Sequence, residues 1–139
     1  MRVSVEPAAS AEDIAAVQKG LRAFNVAHIG DPGEEAVQVF LRDDGGAIVG
    51  GLLGTIRWKW LYVARLWIAE EYRGQGHGGA LLDAAEEHAK SRGCVAVSLD
   101  TFEYQARPFY EKRGYELFGT LEGYPPGYRQ YYLSKRFAR

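Results

Sequence analysis

Residues 72–82 read YRGQGHGGALL, and this stretch decides the fold because four glycines directly precede a helical pattern. A glycine costs about 0.5–1 kcal/mol relative to alanine inside a regular helix or strand. The first turn of a helix leaves backbone N–H groups unpaired at the positive end of the helix dipole. The glycines therefore indicate either a cradle whose N–H groups bind phosphates or a turn that permits close packing. They are Gly74, Gly76, Gly78 and Gly79.

The segments around this stretch predict one α/β domain that spans residues 1–139. Runs rich in branched and aromatic residues, several of them alternating, are typical of strands. The expected strands are residues 3–5, 37–42, 47–58, 60–69, 95–100, 115–121 and 128–137. The pair Gly50-Gly51 predicts a bulge or a close backbone approach within its strand.

Three helices are expected between these strands. Ile14, Val17 and Leu21 recur at helical spacing, so a helix capped by Ser10 or a neighbour covers residues 11–25, followed by a loop to residue 35. The helix after the glycines has an apolar stripe, and its charged residues are expected to face solvent. That stripe is Leu81, Leu82, Ala85 and Ala89, and the charged set is Asp83, Glu86, Glu87 and Lys90. A short third helix begins near Pro108.

Composition excludes several classes of protein. The net charge of −1 provides no basic field for nucleic acid. One cysteine, Cys94, cannot form an intrachain disulfide and is expected to be a small core residue, and no metal-ligand spacing occurs. No apolar run is long enough for a signal peptide or a membrane span, so we expect a soluble cytoplasmic protein with no membrane partner.

A dinucleotide-binding fingerprint competes for the glycine stretch. Gly74, Gly76 and Gly79 satisfy G-x-G-x-x-G, and Asp100 ends the next strand where a ribose-binding acid would stand. This interpretation ranks second, because AEEYR separates the strand from the first glycine and only 39 residues follow Asp100. No Lys-Ser or Lys-Thr follows the glycines, which excludes a Walker loop.

Two motifs in order resemble the GNAT family of N-acetyltransferases. RGQGHG at residues 73–78 is similar to the family's R/Q-x-x-G-x-G/A loop, and it follows a strand and precedes a helix. ARPFYEKRGY at residues 106–115 is similar to the family's A-x-x-F/L-Y-E-K-x-G-F/Y segment. The order of strands and helices agrees with that fold over nearly the whole chain.

The resemblance implies a mixed central sheet with flanking helices, whose fourth and fifth strands are parallel and splay apart. The helix near Gly78 would make a right-handed crossover between those strands. Acetyl-coenzyme A (acetyl-CoA) would lie in the splay. Backbone groups of Leu66, Trp67 and Ile68 would hold its pantetheine arm, and an N–H near Ile68 would stabilise the thioester oxygen. The pyrophosphate would bind the loop residues Arg73, Gly74, Gln75, Gly76, His77 and Gly78.

The resemblance also implies a catalytic residue. Tyr110 would donate a proton or a hydrogen bond to the leaving thiolate, although a core aromatic is the alternative. Phe109 points about 100° away along the helix and could serve the core instead. Many relatives carry an asparagine where this chain has Glu103, so that contact with the cofactor is not assumed.

The general base stays open. Relatives place a carboxylate near the position of Tyr62, yet no acid occurs from residue 59 to residue 69. A water relay is equally plausible, and the side-chain candidates are Glu70, Glu71, Asp100, Glu103 and His28.

The acceptor is expected to be a primary amine of a small molecule or peptide. Aromatic residues could line its cleft, namely Trp58, Tyr104, Tyr124 and Tyr128. A non-catalytic module that senses acyl-CoA is the rival, and a homodimer stays open.

Overall fold

The computed structural model describes residues 1–138 and divides into an N-terminal unit, Met1–Pro32, and a larger unit that begins at Gly33. The N-terminal unit contains helix α1 (Ala11–Ile29). Its start agrees with the prediction, since Ser10 Oγ accepts a hydrogen bond of 3.1 Å from the backbone N–H of Asp13. The helix is four residues longer than expected and ends at Ile29, with Gly30 as its C-cap residue.

The expected strand at residues 3–5 is wrong. These residues form no strand, and the side chains of Val3 and Val5 are almost fully exposed. Two alternating valines are compatible with a strand, but a strand also needs a neighbour for its hydrogen bonds.

The larger unit is a six-stranded mixed sheet in the order β1-β2-β3-β4-β6-β5. Its pairs are antiparallel except β3 with β4, which is parallel. The predicted mixed sheet and its crossover helix are confirmed. The parallel pair was expected to be the fourth and fifth strands, but it is the third and fourth, because residues 3–5 form no strand. The elements are β1 (Glu35–Arg42), β2 (Ile48–Arg57), β3 (Trp60–Ile68), a 3₁₀ turn (Glu70–Tyr72), α2 (His77–Ser91), β4 (Ala96–Phe102), α3 (Arg107–Lys112), β5 (Glu116–Glu122) and β6 (Arg129–Arg136).

The two parallel strands separate partway along their length. Their pairing starts at Trp60 with Ala96 and stops at Val63 with Leu99. A register shift in the β2–β3 ladder leaves Ala64 as an extra residue at that point. A bulge bends its strand, which accounts for the direction of β3 away from β4.

Helix α2 packs its apolar stripe into the core. Leu82, Ala85 and Ala89 are fully buried and share one cluster with Leu61 and Val97 of the parallel strands. The stripe was predicted, and Cys94 is buried as expected.

The prediction for Glu86 is wrong, because this residue of α2 is buried with 4% of its surface exposed. The Tyr115 hydroxyl donates to Glu86 Oε2 at 2.7 Å, and Lys135 Nζ donates to Oε1 at 2.8 Å. These two hydrogen bonds compensate the carboxylate for the hydrating water that it loses on burial.

Candidate active site

A cavity of about 440 Å³ opens where β3 and β4 separate, on the face of the sheet that α2 covers. It brings together both motifs of the sequence, since the glycine loop and Tyr110 line the same space. The lining residues are Leu66, Ile68, Tyr72, Arg73, Gly74, Gly76, His77, Gly78, Gly79, Thr101, Gln105, Ala106, Phe109 and Tyr110.

The glycines of the loop have different physical roles. Gly74 and Gly76 adopt φ of +74° and +86°, and a Cβ on either would meet no atom within 4 Å. Their backbone conformation therefore favours glycine, and open space lies beside them. At Gly79 a Cβ would come within 2.8 Å of Nη1 of Arg113, the C-cap residue of α3, so a larger residue there would displace that guanidinium. At Gly78 the nearest contact would be an ordinary 3.6 Å to Phe109.

The start of α2 faces this cavity with unpaired donors. Gly76 is the N-cap residue, and no side chain caps the helix. The N–H groups of His77, Gly78 and Gly79 precede the first hydrogen bond of the helix, which runs from the Ala80 N–H to the Gly76 carbonyl. They combine with the positive end of the helix dipole to favour an anion here.

The flanking loop residues differ in their contacts. Arg73 Nε donates to the carbonyl oxygen of Ile68 at 2.8 Å, which fastens the loop to the end of β3. Gln75 Nε2 donates to the carbonyl of Glu71 at 3.0 Å, and its side chain does not line the cavity. Trp67 also lies outside the lining and is 53% exposed.

Tyr110 is held rigidly at the inner wall of the cavity. Helix α3 begins with Pro108 in its first turn, and Tyr110 stacks edge-to-face on Phe109 and Tyr115 with centroids 5.1 and 5.7 Å away. It is 8% exposed, and this burial raises the pKa of its hydroxyl to about 12. The hydroxyl is therefore protonated throughout the neutral range and can donate. Phe109 lines the cavity and also packs against the core.

The five candidate bases differ in their surroundings. Glu70 and Glu71 are exposed in the 3₁₀ turn outside the cavity lining. His28, expected in a loop, lies in the last turn of α1, where Nδ1 donates to the Phe24 carbonyl at 2.8 Å. Glu103 accepts from the backbone N–H of Arg129 at 3.1 Å, so it joins the turn after β4 to the start of β6.

Asp100 lies immediately past the last β3–β4 pair. Tyr62 donates to its Oδ2 at 2.7 Å, and Gln130 Nε2 donates to its Oδ1 at 2.9 Å. Its neighbours along the strand, Leu99 and Thr101, are buried toward α2, so Asp100 points to the opposite face. It does not line the cavity, which weighs against the dinucleotide interpretation.

Sequence reasoning missed part of the site. Thr101 and Gln105 line the cavity and bond to each other at 3.0 Å, while Gln105 Oε1 also accepts from the backbone N–H of Phe102 at 2.7 Å. The signal that could have identified Gln105 is its position in the turn between β4 and the second motif, directly before Ala106.

Other kinds of site find little support within residues 1–138. No group of three or more His, Cys, Asp or Glu is arranged to hold a metal ion. No helix in this part of the chain is long and apolar enough to cross a membrane. Burial raises the pKa of the Cys94 thiol, which opposes a reactive thiolate.

Whole-length relatives are acetyltransferases. The chain is 35% identical to acetyltransferase Atu2258 of Agrobacterium fabrum over 99% of this chain and 100% of that protein. The crystal structure of an acetyltransferase from Bacillus cereus superposes with a TM-score of 0.87 at 29% identity, covering 96% of this chain and 98% of that one.

Two further matches carry names of ligands. The chain is 38% identical to blasticidin-S acetyltransferase of Streptomyces morookaense over 65% of this chain and 67% of that protein. An acetyltransferase from Bacillus anthracis, solved in complex with acetyl coenzyme A, shares the fold with a TM-score of 0.66 at 22% identity, covering 74% of this chain and 63% of that one.

The family model for the Acetyltransferase (GNAT) family matches residues 10–115, which include the glycine loop, both splayed strands and Tyr110. Together with the whole-length relative, this match identifies an acyltransferase enzyme: the chain belongs to the GNAT family of acetyltransferases.

Proposed function

We propose that the protein transfers an acetyl group from acetyl-CoA to a primary amine by direct attack in a ternary complex. The observation that carries the proposal is the meeting of three features at one cavity. These are the separated strand ends, the open glycine loop and the buried side chain of Tyr110.

The residues at the cavity fit acetyl-CoA. The uncapped start of α2 supplies N–H donors for the pyrophosphate, and the open space beside Gly74 and Gly76 lets an anion approach the backbone. Beyond Val63 the backbone of β3 has no partner on β4, so groups around Leu66 and Ile68 are available to the amide-bearing pantetheine arm. The arm would then extend toward Tyr110.

The reaction requires three tasks of the protein. A primary ammonium has a pKa near 10.4, so its deprotonation at pH 7 costs roughly 4–5 kcal/mol. The neutral amine nitrogen then bonds to the acetyl carbon while the C–S bond breaks and its electron pair stays on sulfur. The proton that the nitrogen loses as the amide forms passes to water. Tyr110 donates a hydrogen bond or its proton to that sulfur, and a backbone N–H near Ile68 stabilises the thioester oxygen.

The acceptor in this proposal is an amine-bearing small molecule or peptide. Blasticidin-S acetyltransferase is a relative whose name specifies a small-molecule substrate. A net charge of −1 gives no basic field, so nucleic acid is not part of the proposal.

A thiol-release assay with acetyl-CoA and a panel of polyamines, aminoglycosides, amino acids and peptides tests the proposal. We expect amine-dependent release of coenzyme A with at least one class, above the rate without amine. Binding of acetyl-CoA with no turnover across the panel would instead favour a non-catalytic module that senses acyl-CoA.

A further inference from the structure

We infer that the acceptor binds the sheet face opposite α2 and is a flat aromatic molecule that carries an ammonium group. Asp100 binds the ammonium, and an aromatic surface takes the ring. The aromatic surface consists of Phe102, Tyr104, Tyr124 and Tyr128. This inference rests on the proposed function, because it names the substrate class for the same transfer.

Asp100 and the aromatic surface lie on one continuous face. Asp100 and Phe102 are two residues apart on β4, so their side chains point the same way about 7 Å apart. Gln130, which donates to Asp100, is the register partner of Phe102 on β6. Since the β3–β4 pairing has already ended at Leu99, this face meets the opening between the strands.

The carboxylate of Asp100 lacks a cationic partner within residues 1–138. It is half-buried, and its bonds come from Tyr62 and Gln130, which are both uncharged donors. Arg65 is near enough to act on Tyr62 but forms no ion pair with Asp100. A half-buried carboxylate of this kind favours a bound cation, and a protonated amine supplies one.

Three of the four residues of the aromatic surface are exposed to solvent. Phe102 stacks on Tyr104 and on Tyr124, each with centroids 5.6 Å apart, and Tyr128 meets Tyr104 edge-on at 5.3 Å. Tyr104, Tyr124 and Tyr128 are 61%, 51% and 46% exposed. Exposed stacked rings bind other flat rings, and their faces attract cations.

The backbone beneath this surface is braced. Glu103 and Arg129 exchange two hydrogen bonds, of 2.9 Å and 3.1 Å, which join the turn after β4 to the start of β6, directly after the loop between β5 and β6. That loop is closed by Tyr124 N–H to the Tyr128 carbonyl at 3.0 Å. The rings therefore form a preorganised surface, which lowers the entropic cost of binding.

The direct test measures binding of benzyltrimethylammonium, which combines a ring with a charge and has no N–H that could be acetylated. Calorimetry and NMR titration compare it with (cyclohexylmethyl)trimethylammonium, whose ring is saturated, and with benzyl alcohol, which lacks the charge. We expect benzyltrimethylammonium to bind on the order of tenfold tighter than either comparison probe.

Two variants locate the binding. Asp100→Asn should weaken the binding of benzyltrimethylammonium about tenfold and leave the binding of benzyl alcohol unchanged, while Tyr104→Leu should weaken the binding of both aromatic probes. Glu116→Gln and Phe118→Leu, at exposed positions on β5, are the matched controls and should change neither. Circular dichroism checks that each variant is folded.

The outcomes separate this inference from the proposed function. Probe binding that both variants weaken, in a protein that acetylates no amine, would support a binding surface for an aromatic ammonium and contradict the transfer reaction. Acetyl transfer together with probe binding that neither variant changes would overturn the acceptor surface and leave the transfer reaction standing.

Discussion

Val63 and Leu99 form the last residue pair that joins the parallel strands β3 and β4. One residue later, Ala64 forms the bulge of β3, and Asp100 is the first residue of β4 without a partner on β3. The opening that follows has the glycine loop and Tyr110 on one side and Asp100 with its aromatic neighbours on the other. A donor and an acceptor could thus approach one point from opposite faces of the sheet.

A charge placed on the glycine loop should abolish donor binding. Gly76→Asp and Gly76→Asn impose the same strain at φ +86°, so their difference isolates the charge. We expect calorimetry to show acetyl-CoA affinity at least tenfold lower in the aspartate variant than in the asparagine variant. Equal affinities for the two variants would show that no phosphate lies beside this residue.

Gly79 and Gly78 should respond oppositely to alanine. At Gly79 the new methyl group would lie 2.8 Å from Arg113 Nη1, whose guanidinium also bonds to the Gly79 carbonyl. We expect Gly79→Ala to lower the free energy of unfolding by about 1–3 kcal/mol. Gly78→Ala has a 3.6 Å contact and should be neutral or stabilising. Urea unfolding measures both, and a neutral Gly79→Ala would mean that Arg113 simply moves aside.

Alkaline pH should weaken the Tyr62–Asp100 contact. The hydrogen bond to Asp100 raises the pKa of Tyr62 to about 12 from an unfolded value of 10. Between pH 10 and pH 12 the folded state therefore keeps a proton that the unfolded state loses. The stabilisation from the Tyr62–Asp100 hydrogen bond is complete below pH 10 and is lost as the pH rises through about 12. Urea unfolding of Tyr62→Phe should show a deficit at pH 8 that shrinks at pH 11; a constant deficit would assign it to packing.

The sequence left a homodimer open, and the exposed apolar residues of α1 lead us to predict self-association through this helix. This helix has no buried residue, and Ile14, Val17, Leu21 and Phe24 are each at least half exposed. Large apolar surfaces are typical of protein interfaces. Leu21→Glu should convert a dimer to a monomer in sedimentation experiments. The control Ala23→Glu adds the same charge on another side of the helix and should leave the dimer intact. A parent protein that is monomeric at high concentration would contradict this prediction.

The sequence predicted what local patterns determine. The stripe from Leu81 to Ala89 fixed the buried face of α2, and the two motifs identified the cavity that contains Tyr110. Burial of Glu86 was missed because its partners Tyr115 and Lys135 are 29 and 49 residues away. A side chain's exposure depends on such distant contacts, which periodicity within one helix does not contain.

The candidate site shows the same limit. Asp100 was one of five candidate bases, but its bond to Tyr62 spans 38 residues and follows from the parallel pairing of the two strands. The different roles of the glycines could not be predicted either. Only the packed α3 shows that Gly79 makes room for Arg113, while Gly76 provides a positive φ.

Tyr110→Phe tests the catalytic account most directly, because it removes one oxygen and keeps the ring that packs on Tyr115. Tyr72→Phe removes a hydroxyl from another residue of the cavity lining and is the control. Single-turnover thiol release with saturating acetyl-CoA and amine should fall about 100-fold in Tyr110→Phe, with acetyl-CoA affinity and melting temperature unchanged, and stay near the parent rate in Tyr72→Phe. A Tyr110→Phe protein that releases thiol at the parent rate would show that Tyr110 is a core aromatic and that the catalytic assignment is wrong.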